Sequence, residues 1–371
     1  MESFLRTDCI HDSRRDFSNL TFSGYKKSQV LQQLEKSIIN TQIEQSCHWS
    51  IELVVSGHYE ILFETLINIY CKAINVNNPK FPFYFLNQFK KYLNIVKEQH
   101  NPPESINLRN NQEIRQIFAE SVLYLALSKK THVYTLPKIK LEELNIGFVK
   151  GRCKSTKFFL QTIKKEKDHH ELIEIGNELV FSLLTKNIHD ALFWIQWIFT
   201  WEKVNKKKKV NLCSPRRITN INPKFECDVC WFIWTIIIAL SSKEDSIMSL
   251  FHLYSYDYNH SKKNQKIFMI VASFLFLIEK CDYSLPLTYN KIQVQRGVDN
   301  IGYLYKEIND AANPNANIIP PITNFTDTIS SGEQRSSKPT RKKKEVDNLE
   351  TEDSMEKLRL VDQIFNGAFL N

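Results

Sequence analysis

The amino-acid sequence predicts an all-α protein made of two tandem, diverged copies of one multi-helix module, followed by a disordered linker and a C-terminal amphipathic helix. Only 9 of the 371 residues are glycine, and chains poor in glycine suit helices better than tight turns. Apolar residues recur at the spacing of three to four residues that helices require. Five short landmarks occur twice in the same order, which predicts a duplication at the scale of a domain.

Composition and the landmarks divide the chain into five parts. Residues 1–27 form an N-terminal tail, residues 28–150 the first module and residues 151–312 the second. Residues 313–353 are rich in Pro, Asn, Ser and charged side chains, which predicts a disordered linker. Residues 354–371 regain helical spacing, and we expect them to dock on the chain's own modules or on a partner. The apolar side chains of this candidate docking face are Leu358, Val361, Ile364 and Phe365.

The landmarks define how the two copies align. In the first copy they are Ile43/Ser46/Trp49, residues 78–81, Val122/Leu125/Leu127/Lys130, residues 134–137 and residues 145–148. In the second copy they are Ile188/Ala191/Trp194, residues 222–225, Ala272/Leu275/Leu277/Lys280, residues 283–286 and residues 300–303. The second landmark, Asn-Pro-Lys-Phe, is identical in both copies. Duplication predicts equivalent surroundings for these two corners, whereas the alternative is chance similarity in a chain of biased composition.

Within each copy the apolar spacing predicts successive helices. In the first copy one stripe covers residues 43–54 and should end near Gly57, a residue suited to a left-handed helix cap. The next stripe, residues 62–73, is apolar on much of its circumference, which predicts a buried helix. In the second copy residues 172–183 and 188–199 show the same helical spacing.

Two longer apolar runs bear on the question of a membrane. Residues 231–240 and 267–278 both fall short of the roughly 20 residues that a membrane-spanning helix needs, so we interpret them as core helices and expect no membrane span. The first ten residues contain Glu2 and Asp8 and lack a long apolar stretch, which predicts no secretory signal. An intracellular protein with eight reduced cysteines is therefore expected.

No residue pattern predicts catalysis, a cofactor or a metal. Cys227 and Cys230 have the spacing of a zinc or redox pair, but a second pair is missing. Adding Cys213 with His252 or His260 gives no usual ligand spacing, so we interpret these cysteines as buried thiols. Glycine-rich phosphate loops and nucleophile elbows are also missing from the sequence. A non-enzymatic protein without cofactors is the prediction.

The strongest functional indication is basic. The net charge is +8, which favours anionic partners, and lysines and arginines cluster after a stripe of three tryptophans. The candidate contacts to nucleic-acid phosphates are Lys206, Lys207, Lys208, Lys209, Arg216 and Arg217. The alternative is a solvated loop that keeps the protein soluble. A second basic run, residues 338–344, resembles a nuclear-localisation or nucleic-acid patch.

Two neighbouring features have plainer interpretations. Trp194, Trp197 and Trp201 are spaced by three and four residues, which is more typical of a helix core than of a platform for stacking bases. His169 and His170 lie among Lys164, Lys165, Lys167 and Asp168, and we interpret this segment as solvated and charged.

Residues 43–85, with Cys-His-Trp-Ser at 47–50 and Asn-Pro-Lys at 78–80, resemble the opening of a conserved, functionally uncharacterised family of nucleocytoplasmic large DNA viruses. Residues 191–203 and the apolar run from Trp231 are similar to the same family, and the resemblance covers roughly residues 28 to 310. It implies no activity and transfers no catalytic residues. Residues 34–49 also faintly resemble the helical collar domain of clamp-loader-type ATPases, without the ATPase motifs.

Together these observations lead to an expected function. We expect a non-enzymatic viral assembly or adaptor protein that mediates protein–protein contacts in replication, transcription or packaging. The alternatives are a nucleic-acid-binding accessory factor and a structural component of the virion. Expected partners are viral or host proteins and, in the second case, nucleic acid, in the host cytoplasm, the host nucleus or the virion.

Overall fold

The computed structural model describes residues 9–10, 17–99, 105–154, 163–219, 221–241 and 245–311. It is 67% helix, and the described residues form no β-strand, which confirms the all-α prediction. The predicted linker and the predicted C-terminal helix, with Leu358, Val361, Ile364 and Phe365, lie outside the described residues.

Fourteen α-helices follow one another in the described ranges. The first seven are α1 (Lys27–Ile39), α2 (Ile43–Val55), α3 (Tyr59–Ala73), α4 (Phe81–Gln99), α5 (Ile106–Arg109), α6 (Gln112–Leu127) and α7 (Ile146–Arg152). The next seven are α8 (His170–Leu184), α9 (Ile188–Lys207), α10 (Val229–Leu240), α11 (Asp245–Ser255), α12 (Ile267–Ile278), α13 (Lys291–Asp299) and α14 (Ile301–Ala311).

The helices before α7 form one layered bundle. Helix α1 packs against α2, α3 and α6; α2 packs against α3 and α6; α3 packs against α4 and α6; and α4 packs against α6. Phe63 lies at the centre, where its ring is 4.5 Å from that of Phe118 and 5.4 Å from that of Phe85, measured between centroids. Burial of these aromatic rings supplies much of the apolar area that stabilises the bundle.

The helices from α8 to α12 pack in a corresponding pattern. Helix α8 packs against α9, α10 and α12; α9 packs against α10 and α12; α10 packs against α11 and α12; and α11 packs against α12. Each contact has a counterpart in the first bundle when α1, α2, α3, α4 and α6 are matched in order with α8, α9, α10, α11 and α12. The two bundles meet mainly where α4 packs on α11 and α3 packs on α12.

The turn between α1 and α2 has a defined backbone geometry. Thr41 lies in the left-handed region with φ of 59°, and the Gln42 amide donates a 2.9 Å hydrogen bond to the Ser37 carbonyl oxygen. This bond satisfies one of the carbonyls that the end of a helix leaves without an intrahelical partner.

The turn between α8 and α9 has the same geometry. Lys186 has φ of 57°, and the Asn187 amide donates a 2.8 Å hydrogen bond to the Ser182 carbonyl oxygen. Residues before the left-handed position also agree, because Asn40 has φ and ψ of −84° and 6° and Thr185 has −85° and 7°. The first landmark, which begins at Ile43 and Ile188, therefore marks equivalent helix starts.

The Asn-Pro-Lys-Phe corners do not lie in equivalent surroundings. Asn78 is buried between α3 and α4, and its side-chain amide donates to Ser128 Oγ at 2.9 Å and to the Leu287 carbonyl oxygen at 3.0 Å. Asn222 is exposed before α10 and caps a single 3₁₀ turn by accepting from the Lys224 amide at 3.1 Å. The expectation for this landmark was wrong, because the same four residues serve one corner in the core and another at the surface.

The segment that follows α6 crosses to the second bundle. Trp197 on α9 donates from Nε1 to the Glu143 carbonyl oxygen at 2.9 Å. The Phe148 ring on α7 lies 6.2 Å from the Phe193 ring, and the Arg152 guanidinium lies 3.7 Å from the centroid of that same ring. Helix α7 is thus held by the second bundle, although it follows the first in the chain.

The segment that follows α12 crosses in the opposite direction. Helix α13 packs against α6, and α14 packs against α2 and α6. A Cβ atom on Gly297 would lie 2.7 Å from Leu123 Cδ1, so α13 approaches α6 closely at the glycine. On α14 the buried Tyr305 ring stacks under the Arg115 guanidinium at 3.5 Å.

The two apolar runs form core helices, as predicted. Helices α10 and α12 are mostly buried, with Trp231, Trp234, Ile270 and Phe274 fully enclosed. Each has 12 residues, and within the described ranges no helix is both long and apolar enough to cross a membrane.

Candidate functional site

Lys206, the first of the six basic candidates, points into the second bundle. Its ammonium contacts Asp228 Oδ1 directly and lies 2.9 Å from His260 Nδ1 and 3.7 Å from Glu202 Oε1. Because two carboxylates already neutralise this charge, Lys206 is a structural residue at the end of α9. Its ammonium is already paired within the protein and is not a candidate phosphate contact.

Glu202 and Asp228 form the centre of a buried charge network. Glu202 contacts the buried Lys263 ammonium and accepts from the Val229 amide at 2.9 Å. Asp228 accepts from the Tyr258 hydroxyl at 2.7 Å and lies 3.0 Å from His260 Nδ1. Burial raises the pKa of Asp228, but the hydrogen bonds from His260, Lys206 and Tyr258 outweigh it and hold the pKa below its usual value.

Three side chains of the network have the spacing of a metal-ligand set, but the lysines beside them argue against a metal site. One ligand atom each from Glu202, Asp228 and His260 lie within 4.8 Å of one another, the only such group among the described residues. However, Lys206 and Lys263 contact these same carboxylates, so two ammonium groups already supply the positive charge that a cation would bring. The arrangement is therefore best described as a closed ion-pair network that joins α9, α10 and the segment before α12.

Arg216 is also structural. It is buried, and its guanidinium makes a two-point ion pair with Asp168, with Nη2 2.8 Å from Oδ2 and Nη1 3.0 Å from Oδ1. The Asp168 carboxylate also accepts from the backbone amides of Ser214 and Lys165, each at 2.8 Å. Burial raises the pKa of Asp168, but the hydrogen bonds from Arg216 and the two amides leave it below its usual value.

The pair of Asp168 and Arg216 brings two basic segments together. The segment before α8 and the loop after α9 are joined here, and the His169 amide donates to the Leu212 carbonyl oxygen at 2.9 Å. Lys165 Nζ further donates to the Pro215 carbonyl oxygen at 2.8 Å. The basic residues around Lys164 and those around Lys207, separate in the sequence, therefore share one end of the α8 and α9 hairpin.

The other four basic candidates are exposed at this end of the hairpin. Lys207 ends α9, Lys208 caps it, and Lys209 has φ of 60°, so the chain turns away from the helix there. Arg217 is exposed although its neighbour Arg216 is buried. The site prediction thus separates into two structural residues, the partly buried Lys206 and the buried Arg216, and four residues that face solvent.

The tryptophan stripe, Cys213 and Cys230 belong to the core, whereas Cys227 is only partly buried, so the prediction of buried thiols was wrong for Cys227. Trp194, Trp197 and Trp201 are each less than 10% exposed, as the helical spacing indicated. Burial raises the pKa of the Cys213 thiol to about 12 and also raises that of Cys230, so both thiols stay protonated at neutral pH. Cys230 lies 3.1 Å from the Tyr258 hydroxyl and packs beneath the charge network.

Two large apolar side chains are exposed in the segments that follow α6 and α12. Leu141 precedes α7 and Ile292 lies at the start of α13, and each is 72% exposed. Each follows a lysine and stands between the Leu-Pro landmark and the Asn-Ile-Gly landmark of its own half. Tyr289, which is 76% exposed, adds an aromatic side chain three residues before Ile292.

No protein-family model matches the chain, and no curated protein or solved structure is detectably similar to it. The resemblance to a family of large DNA viruses therefore stays a prediction, and no function is transferred from a relative.

Sequence reasoning did not recognise the roles of Asp168, Leu141 and Ile292. Asp168 stood in a charged run that was interpreted as solvated, and its one distinguishing signal is a position just before the amphipathic spacing of α8. Leu141 and Ile292 share one sequence signal, because Lys140-Leu141 and Lys291-Ile292 each lie between a Leu-Pro and an Asn-Ile-Gly landmark.

Proposed function

We propose that the chain is a non-enzymatic adaptor built from two diverged copies of one helical module. Support for the duplication comes from the helix contacts, which correspond pair by pair, and from the matching turns at Thr41 and Lys186. The Asn-Pro-Lys-Phe corners count against the duplication, because they precede α4 and α10, which are not matched helices. The proposal therefore rests on the shared packing order and on the matching turns. The third landmark agrees, since it lies on α6 and α12, which are matched helices.

The connectors suggest how the halves are joined. Helix α7 leaves the first module and packs on α9, whereas α13 and α14 leave the second module and pack on α6 and α2. Helix α9 corresponds to α2, so each module covers the matching helix of the other. This reciprocal exchange supports a single scaffold in which a connector of each half packs on the other half.

The observation that carries the adaptor function is the matched exposure of Leu141 and Ile292. Single exposed apolar residues are common on protein surfaces, but two that are equally exposed in corresponding connectors form a repeated feature. Burying such a side chain in a partner contributes about 1.5–3 kcal/mol, enough to serve as an anchor of a small interface. A scaffold with two matched anchors would join two copies of one partner.

The experiment places a photo-crosslinking amino acid at Leu141, at Ile292 and, as an exposed control on α4, at Lys90. Infected host cells are the first choice, following the family resemblance. The adaptor proposal expects the same partner protein to be captured from both connector positions and absent from the control. Different proteins at the two positions, or a yield equal to that of the control, would contradict it.

A variant series then tests the stoichiometry. Leu141→Ser and Ile292→Ser should each halve the number of partner molecules per chain, and the double variant should bind none, as measured by light scattering of the purified complex. Gln293→Ser, at an exposed site next to Ile292, is the matched control and should retain full binding.

A further inference from the structure

The end of the α8 and α9 hairpin carries free positive charge on two joined segments. On these two segments, the exposed basic residues whose side chains make neither an ion pair nor a hydrogen bond with any described residue are Lys164, Lys167, Lys207, Lys208, Lys209 and Arg217. We call these six residues the basic surface. Of the nearby acids, Glu166 is exposed and Glu171 contacts His169, so the positive charge predominates.

Two ion pairs beneath the basic surface hold it in place, and the carboxylate of each pair is buried. Asp168 and Arg216 join its two segments, and Lys206 ties the last turn of α9 to Asp228. Lysines next to a helix C-terminus can also serve merely to neutralise the helix dipole. That role accounts for Lys207 and Lys208, but it does not account for Lys164, Lys167 or Arg217, which lie outside α9.

We propose that the basic surface binds the phosphate backbone of double-stranded nucleic acid without reading its sequence. Several exposed cations on one rigid surface bind a polyanion because each phosphate contact releases condensed counterions. The inference goes beyond the adaptor function and depends on different residues.

The surroundings of the basic surface favour a duplex over other polyanions. Proteins that bind single strands usually stack bases on exposed aromatic rings, but Trp194, Trp197 and Trp201 are buried here. Peripheral membrane proteins add apolar side chains that insert between lipids, and Val210 is the one large apolar residue exposed among the described residues of this surface. The chemistry that remains is contact between charges and a regular phosphate backbone.

The test is fluorescence anisotropy of the full chain with a labelled 20-base-pair duplex, titrated at several NaCl concentrations. If the six residues each neutralise one phosphate, the slope of log affinity against log salt is about −5. Lys207→Ala/Lys208→Ala and Lys164→Ala/Lys167→Ala, on the two separate segments, should each reduce the magnitude of this slope by about 2. The control Lys90→Ala/Lys91→Ala removes the same charge from α4 and should leave the slope unchanged.

Several outcomes would overturn the proposal. Equal slopes for the control and for both test variants would mean that binding depends on overall charge and that the basic surface plays no special part. Tighter binding to a single strand of the same length, or to phosphatidylserine vesicles, would contradict the choice of a duplex. Thermal melting followed by circular dichroism checks that each variant is folded, and agreement between the two test variants guards against a local folding defect in either one.

Discussion

Asp168 and Arg216 form a two-point ion pair across 48 residues of sequence, with both side chains at most 5% exposed. The pair joins the segment before α8 to the loop after α9, and the basic surface lies on these two segments. A structural interaction between buried charges therefore determines which exposed charges lie together.

Asp168→Ala should destabilise the protein by about 3–5 kcal/mol, because it leaves the Arg216 guanidinium buried without its partner. Urea denaturation at neutral pH measures this difference. The neighbouring exposed substitution Glu166→Ala should change the free energy of unfolding by less than about 0.5 kcal/mol. A loss at Asp168 as small as that at Glu166 would show that the pair contributes little.

The same pair predicts a pH dependence. The pKa of Asp168 is lower in the folded protein than its ordinary value of 3.8, so its contribution is complete above the unfolded pKa and is lost as pH falls through the folded pKa. The free energies of unfolding of the wild type and of Asp168→Asn should therefore converge as the pH falls below 3.8 and through the folded pKa of Asp168. A difference in stability that persists undiminished in acid would exclude this origin.

Lys266 should make stability rise with pH in the alkaline range, as Asp168 does in the acid range. Burial lowers its pKa from 10.5 to about 8, and its ammonium donates to carbonyl oxygens of Tyr254 at 3.0 Å and Tyr256 at 2.6 Å. Between about pH 8 and 10 the unfolded chain holds this proton and the folded chain releases it, so stability should rise by up to about 1.4 kcal/mol per pH unit. Lys266→Met should remove that rise relative to the wild type, and an identical slope in both proteins would refute the assignment.

The matched turns predict matched responses to glycine. Thr41 and Lys186 have positive φ, which costs a residue with a Cβ atom free energy that glycine does not lose. Thr41→Gly and Lys186→Gly should both raise the melting temperature. The free energy of unfolding should increase more at Thr41, by about 1 kcal/mol, because threonine is β-branched. Opposite signs at the two positions in differential scanning calorimetry would argue against equivalent turns.

Gly297 provides a test of the α13 contact. Gly297→Ala would place a Cβ atom 2.7 Å from Leu123 Cδ1, and crowding of this kind costs about 1–3 kcal/mol. Gln293→Ala on the exposed side of the same helix is the control. Hydrogen exchange should show faster opening of α13 in the Gly297 variant alone, whereas unchanged protection would mean that α13 is not closely packed there.

The sequence allowed the class of fold to be predicted, because helical periodicity and apolar runs are local signals. The helix ending near Gly57 and the buried runs of α10 and α12 were predicted for this reason, and Gly57 has φ of 75°. The prediction that failed concerned long-range packing. Residues 78–81 and 222–225 have the same sequence, and this led to a wrong prediction of equivalent surroundings. Four residues do not determine whether a turn packs against the core or faces solvent.

The candidate site could be predicted only in part for the same physical reason. Six basic residues in one stretch have the same appearance in the sequence, but Lys206 and Arg216 differ from the rest because Asp228 and Asp168 meet them in the folded chain. Pairing across 22 and 48 residues has no local signature. Charge identifies a candidate surface, and only the fold shows which charges remain free.

The claim that each module is completed by the connector of the other is tested most directly with two separate halves, residues 1–154 and 163–371. Sedimentation equilibrium of the mixed halves should show a one-to-one complex. In this complex α7 of the first half packs on α9 of the second, and α13 and α14 of the second half pack on α6 and α2 of the first. Two folded halves that sediment separately at micromolar concentration would contradict the account.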